Sequence, residues 1–210
     1  MTLAYFITHP DVVVDPAIPI DRWPLSETGL ARMRRVLDQP WAASLRHVFS
    51  SAEQKALDGA EVLRSSLGIP STVIPGLGEN DRSATGFLPP SEFWPVVEEF
   101  FANPTRSIRG WERAADAQAR VVRAVREGLA QTAPEESVAF VGHGGVGCLL
   151  RCQLEGRPIS RAEEQPAAAE GSPPGSGGGH YFAFDRSSLA LAGDWQPIDV
   201  PAGAGGSHVD

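Results

Sequence analysis

Residues 137–154 read SVAFVGHGGVGCLLRCQL, and this stretch decides the fold class. Its first six residues, 137–142, are mostly apolar and too few for a buried helix, so they predict a buried strand. A helix is predicted over residues 145–154, directly after His143 and Gly144. A strand that turns at once into a helix is typical of α/β proteins with a parallel sheet.

The rest of the chain continues this alternation of strands and helices. Short apolar runs predict strands over residues 3–7, 47–50 and 72–74. Apolar residues at helical spacing predict a first helix that opens at Ser26 and further helices over residues 53–67, 91–101 and 111–131. Residues 180–184 and 189–191 are expected to form a hairpin at the sheet edge. The pattern indicates a mostly parallel sheet covered by helices.

Length and charge restrict the class of protein. The 210 residues suffice for one sizeable domain, which we expect to span residues 1–200. The net charge of −8 argues against nucleic acid as a partner, because binding a phosphate backbone needs a cationic surface. No apolar run is long enough to span a membrane, and the N-terminus has no signal-peptide pattern, so a cytoplasmic location is expected. The oligomeric state stays open, a homodimer included.

Two segments have unusual composition. Residues 166–179 consist almost entirely of Ala, Gly, Ser and Pro, which predicts a flexible insert. Residues 201–210 are expected to be a disordered tail. Cys148 and Cys152 lie four residues apart in a predicted helix and are expected to be reduced packing residues.

Two histidines follow predicted strands, and both are candidates for catalysis. His9 ends the first strand and His143 the fourth, and ligands of parallel sheets bind outside the carboxyl ends of strands. Glu79 lies in the long loop after the third strand. Phosphoryl transfer to a histidine needs a neutral ring, a proton donor for the leaving oxygen and N–H donors for the phosphoryl charge. His9, Glu79 and the helix start at His143 and Gly144 are our candidates for these three roles.

Five segments resemble the histidine phosphatase superfamily, also called phosphoglycerate mutase-like, in order and in spacing. They are the strand that ends in His9 and residues 23–29, 50–56, 77–79 and 141–146. The resemblance implies an α/β fold built as a three-layer α/β/α sandwich, and a phosphohistidine intermediate on His9. It further implies that Glu79 is the proton donor and later the base for water, and that His143 donates to the phosphoryl oxygens. The ligand would be a small phosphorylated substrate or inorganic phosphate.

The sequence departs from this family at the expected phosphate clamp. The family normally has Arg-His-Gly at the nucleophile, whereas this chain has Thr8-His9-Pro10, and Lys55 replaces the usual second arginine. Lysine carries charge without the bidentate fork of arginine, and threonine offers a single hydroxyl. The candidate replacement cations in predicted loops are Arg22, Arg82, Arg106 and Arg109. Arg82 is favoured because it is three residues from Glu79, so the predicted substrate-binding residues are Thr8, Lys55, Arg82 and Gly144.

Other interpretations remain beside these predictions. Residues 142–147 fit the Gly-x-Gly-x-x-Gly pattern of dinucleotide-binding proteins, but the chain then runs into Arg157-Pro158 instead of a strand with an acidic residue. No cofactor is expected, and His47, His180 and His208 lack the spacing of metal ligands. The aromatic residues of 87–111 are expected in the core or in a pocket wall, where they would favour a substrate with an apolar body.

Two functions stay open at this level. The first is a phosphomonoesterase that acts through a phosphohistidine. The second is a catalytically impaired member of the family that binds a phosphorylated ligand or a partner protein. Each candidate residue also has an ordinary structural interpretation: His9 as a strand-end histidine, Lys55 as a surface helix residue and Glu79 as a solvated loop carboxylate.

Overall fold

A computed structural model describes residues 1–168, 172 and 175–200 of the protein. Six strands form one sheet in the order β3-β2-β4-β1-β5-β6. The strands are β1 (Leu3–Thr8), β2 (Leu45–Ser50), β3 (Ser71–Val73), β4 (Ser137–Gly142), β5 (His180–Asp185) and β6 (Gln196–Pro197). The first four run parallel to one another, and β5 is antiparallel both to β1 and to β6. The predicted mostly parallel sheet is confirmed.

Five α-helices connect and cover the strands. They are α1 (Glu27–Arg34), α2 (Gln54–Leu67), α3 (Pro90–Ala102), α4 (Ala114–Ala130) and α5 (Gly144–Leu154). The Ser26 hydroxyl caps α1 by accepting the N–H of Gly29 at 3.0 Å, and Gly68 closes α2 in the left-handed conformation. The helix α4 begins at Ala114 and not at the predicted residue 111, because the backbone of Arg113 is still extended.

The strands bury both faces because their residues alternate between the two sides of the sheet. On one face, Phe6 and Phe140 pack in a cluster with Val121 of α4 and residues of α3 and α5. On the other face, Tyr5 and Val141 pack in a cluster with residues of α1 and α2. The architecture is therefore the expected three-layer α/β/α sandwich.

The edge of the sheet differs from the predicted hairpin of residues 180–184 and 189–191. These two segments share a single bridge, between Phe184 and Leu191, and the strand paired with β5 is β6. The Asp185 carboxylate accepts the N–H groups of Ser187 and Ser188, and Leu189 has a left-handed φ of 59°. The Asp185 N–H donates to the Ala190 carbonyl and the Ala192 N–H to the Ala183 carbonyl, both at 2.8 Å, so the predicted hairpin forms only over this short stretch after the turn.

The predicted insert is described only in part. Residues 169–171 and 173–174 of the insert, and the whole predicted tail 201–210, lie outside the described residues. The described end of the insert contacts the loop after β1, because the N–H of Gly179 donates to the His9 carbonyl at 3.2 Å. Within the described part of the chain, no helix is both long and apolar enough to cross a bilayer.

Candidate active site

The pairing of β1 with β4 brings the two candidate histidines together. Thr8 lies opposite Gly142 in the parallel register, and the His9 N–H donates to the Gly142 carbonyl at 3.0 Å. The rings of His9 and His143, the next residue of each strand end, meet edge to face with centroids 5.2 Å apart. The two residues predicted from separate strand ends thus form one site.

The His9 ring is held in a defined tautomer. Its Nδ1 lies 2.9 Å from the Pro10 carbonyl oxygen, which only accepts, so Nδ1 carries the proton and Nε2 keeps its lone pair. Burial, together with the positive charges of Lys55 and Arg82, lowers the pKa of His9 to about 4. At neutral pH the ring is therefore an uncharged base with Nε2 available.

His143 is fully buried and contacts two residues that precede α2. Its Nε2 lies 2.7 Å from the Ser51 hydroxyl and 3.3 Å from a carboxylate oxygen of Glu53. The negative charge of Glu53 beside Nε2 favours a proton on that nitrogen, and the buried Nδ1 has no hydrogen-bond partner among the described residues. Burial lowers the pKa of His143 to about 4, although the Glu53 carboxylate acts in the opposite direction.

Glu53 connects the histidines to the other predicted residues. One carboxylate oxygen accepts the Glu79 N–H at 2.7 Å, and the other accepts from Lys55 Nζ at 2.5 Å. Burial alone would raise the pKa of Glu53, but His143, Lys55 and the Glu79 N–H lower it to about 2. Glu53 is therefore ionised and binds three parts of the site at once.

Lys55 is buried and not a surface helix residue, with 4% of its surface exposed. Besides Glu53, its ammonium group binds the Ile20 carbonyl at 2.9 Å. Two of its three protons are thus already committed, and its charge is offset by the neighbouring carboxylate. Lys55 supplies a weaker anion-binding group than a free arginine would.

The Glu79 side chain lies at the N-terminus of α5. Its two carboxylate oxygens accept the N–H groups of Gly145 and Val146, each at 3.0 Å. A Cβ at position 145 would come within 2.7 Å of Glu79 Oε1, so only glycine permits this approach. The Gly144 N–H remains without a partner among the described residues, at the helix end that favours anions.

Arg120 of α4 fixes the loop that carries Glu79. Its guanidinium donates to the carbonyls of Gly76, Gly78 and Glu79 and forms an ion pair with Glu112 at 2.7 Å. These contacts pin the backbone on both sides of Gly78. The position of the Glu79 carboxylate therefore depends on a helix that the chain reaches some forty residues later.

The Thr8 hydroxyl already has hydrogen-bond partners within the protein. Its Oγ1 accepts the His180 N–H at 3.0 Å and donates to the side-chain carbonyl of Gln165 at 2.6 Å. Gln165 comes from the segment after α5 and was not among the predicted site residues. The threonine that stands in place of an arginine thus binds a carboxamide from elsewhere in the chain.

Of the four candidate arginines, Arg82 is the one that lines the site. Its guanidinium lies over the rings of Phe93 and Trp111, 5.2 and 5.7 Å from their centroids, and its side chain forms no ion pair with the described residues. The other three are exposed; Arg22 pairs with Asp21 at 3.9 Å and Arg109 with Glu92 at 3.6 Å. Arg82 is the unpaired cation beside the paired histidines.

Glu79, Asn80 and Arg82 line two cavities that share this wall. The larger, about 540 Å³, is also lined by Glu53, Asp81 and neighbouring loop residues. The smaller, about 200 Å³, has a polar side and an aromatic side, lined by Gly144, Gly145, Glu164, Gln165, Phe93, Trp94, Phe100, Phe101 and Trp111. Several aromatic residues of 87–111 are therefore pocket wall, and in the described part of the chain no three potential ligand side chains are placed to hold a metal ion.

Comparisons with solved structures find the same fold. YhfR of Bacillus stearothermophilus is 22% identical with a TM-score of 0.72, covering 94% of this chain and 100% of that chain. A mycobacterial glucosyl-3-phosphoglycerate phosphatase bound to inorganic phosphate is 18% identical with a TM-score of 0.71, covering 95% and 100%. The alpha-ribazole phosphatase from Shigella flexneri is 18% identical with a TM-score of 0.64, covering 90% and 93%. A comparison with curated protein sequences gave no match.

The fold and the paired strand-end histidines define a class of α/β proteins with a histidine site at the carboxyl edge of the sheet. A sequence model of the histidine phosphatase superfamily (branch 1) matches residues 21–170, more than half of the chain. The chain belongs to this superfamily, and the resemblance drawn from five segments is confirmed. The matched range begins after β1, so it does not include Thr8-His9-Pro10.

Several residues of the site were not predicted from the sequence. Ser51 and Glu53 lie inside the segment 50–56 that carries the resemblance, and a buried carboxylate beside Lys55 was a signal available there. Asn80 is adjacent to Glu79 and lines both cavities. Gln165 gave no signal, because it precedes a low-complexity segment and meets Thr8 only in three dimensions.

Proposed function

We propose that this protein hydrolyses small phosphomonoesters through a phosphohistidine intermediate on His9. The observation that carries the proposal is the His9 ring itself, which is neutral, fixed through Nδ1 and next to the fully buried His143. A neutral imidazole with a free Nε2 lone pair is a nucleophile at physiological pH. Membership of the superfamily and the phosphatase names of proteins with this fold support the same reaction.

The first step forms a bond from His9 Nε2 to phosphorus and breaks the bond from phosphorus to the leaving oxygen. Glu79, when protonated, gives its proton to that oxygen, so the product leaves as a neutral alcohol. In the second step Glu79 removes a proton from water, the water oxygen binds phosphorus, and the nitrogen–phosphorus bond breaks. Inorganic phosphate leaves and His9 returns to its neutral form.

Anion stabilisation in this mechanism comes from His143, Gly144, Lys55 and Arg82. His143 uses Nε2 for Ser51 and Glu53, which leaves Nδ1 for the phosphoryl group. A phosphoryl dianion beside the ring favours its protonated form, and the negative charge of Glu53, 3.3 Å from the opposite nitrogen, acts in the same direction. The Gly144 N–H and the two cations would bind the remaining oxygens.

The alternative function is phosphate binding without turnover. It is favoured by the state of Lys55, whose charge is offset by Glu53, and by the absence of arginine at positions 8 and 55. Loss of an arginine that stabilises phosphoryl transfer costs about 10³–10⁵ in rate in other enzymes. A protein without arginine at both positions, and without other groups in their place, would still bind phosphate in the pocket but would not hydrolyse the ester.

Hydrolysis of p-nitrophenyl phosphate by the wild type and by His9→Ala tests the proposal, with His47→Ala as a matched histidine control outside the cavities. We expect turnover that His9→Ala lowers by about 10³-fold or more and that His47→Ala retains. Intact-mass analysis after an alkaline quench should detect one added phosphoryl group in the wild type. Absence of turnover together with binding of inorganic phosphate would instead establish the non-catalytic alternative.

A further inference from the structure

The side-chain carboxamides of Asn80 and Gln165 line the same small cavity as Glu79. Asn80 is 7% exposed, and its buried Nδ2 has no hydrogen-bond partner among the described residues. Gln165 Nε2 likewise donates to none of the residues that the structure describes, since its recorded bond uses Oε1. A buried amide N–H group without an acceptor is costly, so Asn80 Nδ2 indicates a ligand that supplies an acceptor atom, and the half-buried Gln165 amide offers its N–H groups to the same cavity.

The orientation of the Gln165 amide follows from Thr8. The Thr8 hydroxyl oxygen accepts the His180 N–H, so its own proton needs an acceptor, and Gln165 Oε1 at 2.6 Å is nearer to it than the His180 carbonyl oxygen at 3.2 Å. With Oε1 bound to Thr8, the two N–H groups of Nε2 face the start of α5, where a Cβ on Gly144 would come within 2.6 Å of Nε2. The amide therefore lies between the residue before His9 and the residue after His143.

Several hydrogen-bond donors line this part of the cavity, and the two carboxylates on the same wall, Glu79 and Glu164, already accept from other groups. Among the described residues the Gly144 N–H has no partner and the Arg82 guanidinium contacts only the ring faces of Phe93 and Trp111, while the Glu79 carboxylate already accepts from the α5 N-terminus. A ligand that satisfies these donors must present several acceptor oxygens close together, as a phosphoryl group does. A sugar hydroxyl or an apolar group would leave most of them unsatisfied.

We infer that Gln165 and Asn80 bind the oxygens of the transferring phosphoryl group, and that Thr8 positions Gln165 for this contact. Two neutral carboxamides thereby do in this chain what charged guanidinium groups would do at residues 8 and 55. The inference rests on the proposed function, because it assigns these residues to the phosphoryl position of the same site.

The test measures the dissociation constant of inorganic phosphate by calorimetry, and KM and kcat for p-nitrophenyl phosphate, in the full chain. We expect Gln165→Ala and Asn80→Ala each to weaken phosphate binding roughly ten- to hundredfold, as for a hydrogen bond to a charged group. Gln165→Glu should weaken it further, because it adds a negative charge at the same place. Thr8→Val should weaken it through loss of the amide orientation. Gln153→Ala, an exposed glutamine on α5, is the matched control and should bind as the wild type does.

A comparison of the phosphate affinities of Gln165→Ala and Gln165→Glu distinguishes a residue that binds phosphate from one that only supports the fold. Equal phosphate affinity in these two variants would overturn the inference, since a residue that only supports the fold does not distinguish amide removal from added charge. A raised KM for the ester with unchanged phosphate affinity would also overturn it and assign both residues to the leaving group. Circular dichroism checks that the Asn80→Ala variant folds. If that variant does not fold, the Gln165 variants still test the inference, because Gln165 is only half-buried.

Failure of the proposed function gives a different result. A wild type that binds phosphate, loses affinity in Gln165→Glu and never turns over would overturn the phosphatase and retain this inference. If the wild type turns over through His9 and the Gln165 variants bind phosphate with wild-type affinity, the phosphatase proposal is retained and this inference is overturned. A wild type that does not bind phosphate at all overturns both.

Discussion

His9 and His143 are histidines whose uncharged form the fold favours. Burial is the largest cause, and for His9 the positive charge of Lys55 adds to it. An exposed histidine with an ordinary pKa of about 6.5 would be partly protonated in mildly acid solution and lose its nucleophilic lone pair. The partly buried His9 therefore keeps that lone pair over a wider range of pH.

The pH dependence of activity follows from this lowered pKa. Because the pKa of His9 is about 4, the nucleophile is lost only as the pH falls through about 4, and activity should persist at pH 5. We expect the acid limb of kcat/KM, corrected for ionisation of the substrate, to have its midpoint near 4. Lys55→Met should move this midpoint upward, since it removes a positive charge and leaves Glu53 in place.

The control for this experiment is Arg22→Met, which removes an exposed positive charge outside the histidine pair. Its profile should match that of the wild type, because water and salt screen an exposed charge. An acid limb near pH 6.5 in the wild type would show that the surroundings of His9 do not lower its pKa, and would contradict this prediction.

At the scale of elements, the start of α5 organises the site. The helix follows β4 without a loop, so its N-terminal N–H groups lie beside His143 and receive the Glu79 carboxylate. The opposite side of the same loop is held by Arg120 of α4. Two helices thus position Glu79, the proposed proton donor, and the glycines at the start of α5 leave room for its carboxylate.

Gly145→Ala should displace the proton donor without removing it. The added Cβ would meet Glu79 Oε1 at 2.7 Å, so the carboxylate must move away from the leaving oxygen. General acid catalysis contributes about 10²–10⁴-fold, mostly where the leaving group is a poor one. We expect kcat/KM for glycerol 2-phosphate to fall at least about tenfold more than for p-nitrophenyl phosphate.

Gln153→Ala in the same helix provides the control, because its side chain is exposed. This variant should leave kcat/KM unchanged for both glycerol 2-phosphate and p-nitrophenyl phosphate. Equal losses for both esters in Gly145→Ala would mean that the substitution disturbs the whole site, and the assignment of Glu79 as the acid would lose this support.

For the whole molecule, the sheet buried on both faces is the rigid support of the site. Phe140, in the middle of β4, is completely buried, and its ring contacts Phe49 with centroids 5.1 Å apart. The site lies at the end of this same strand. Stability of the core therefore determines how well the two histidines are held.

Phe140→Ala should lower the free energy of unfolding by about 3–5 kcal/mol, because it removes a fully buried ring and leaves a cavity. Urea denaturation followed by tryptophan fluorescence measures this change. Val73→Ala, on the edge strand β3 with 46% of the residue exposed, is the control and should cost less than about 1 kcal/mol. A loss below that level in Phe140→Ala would contradict the described core.

The sequence by itself determined the order of the elements and the edge of the sheet where the site lies. Apolar runs and helical spacing are local patterns, so they predicted the parallel strands and located His9 and His143 at strand ends. The helix start at Gly144 was equally local. The predicted hairpin of residues 180–184 and 189–191 forms over a single bridge, whereas the pairing of β6 with the start of β5 was not predicted, because residues 196–197 carry no strand pattern of their own.

Only the tertiary structure decided which side chains surround the histidines. Thr8 meets Gln165 across 157 residues, and the Arg120 guanidinium reaches the Glu79 carbonyl across 41. The choice of Arg82 among four loop arginines likewise depends on the rings of α3 and Trp111 beneath it. Such contacts depend on how whole elements pack, and packing joins residues whose separation along the chain carries no periodic signal.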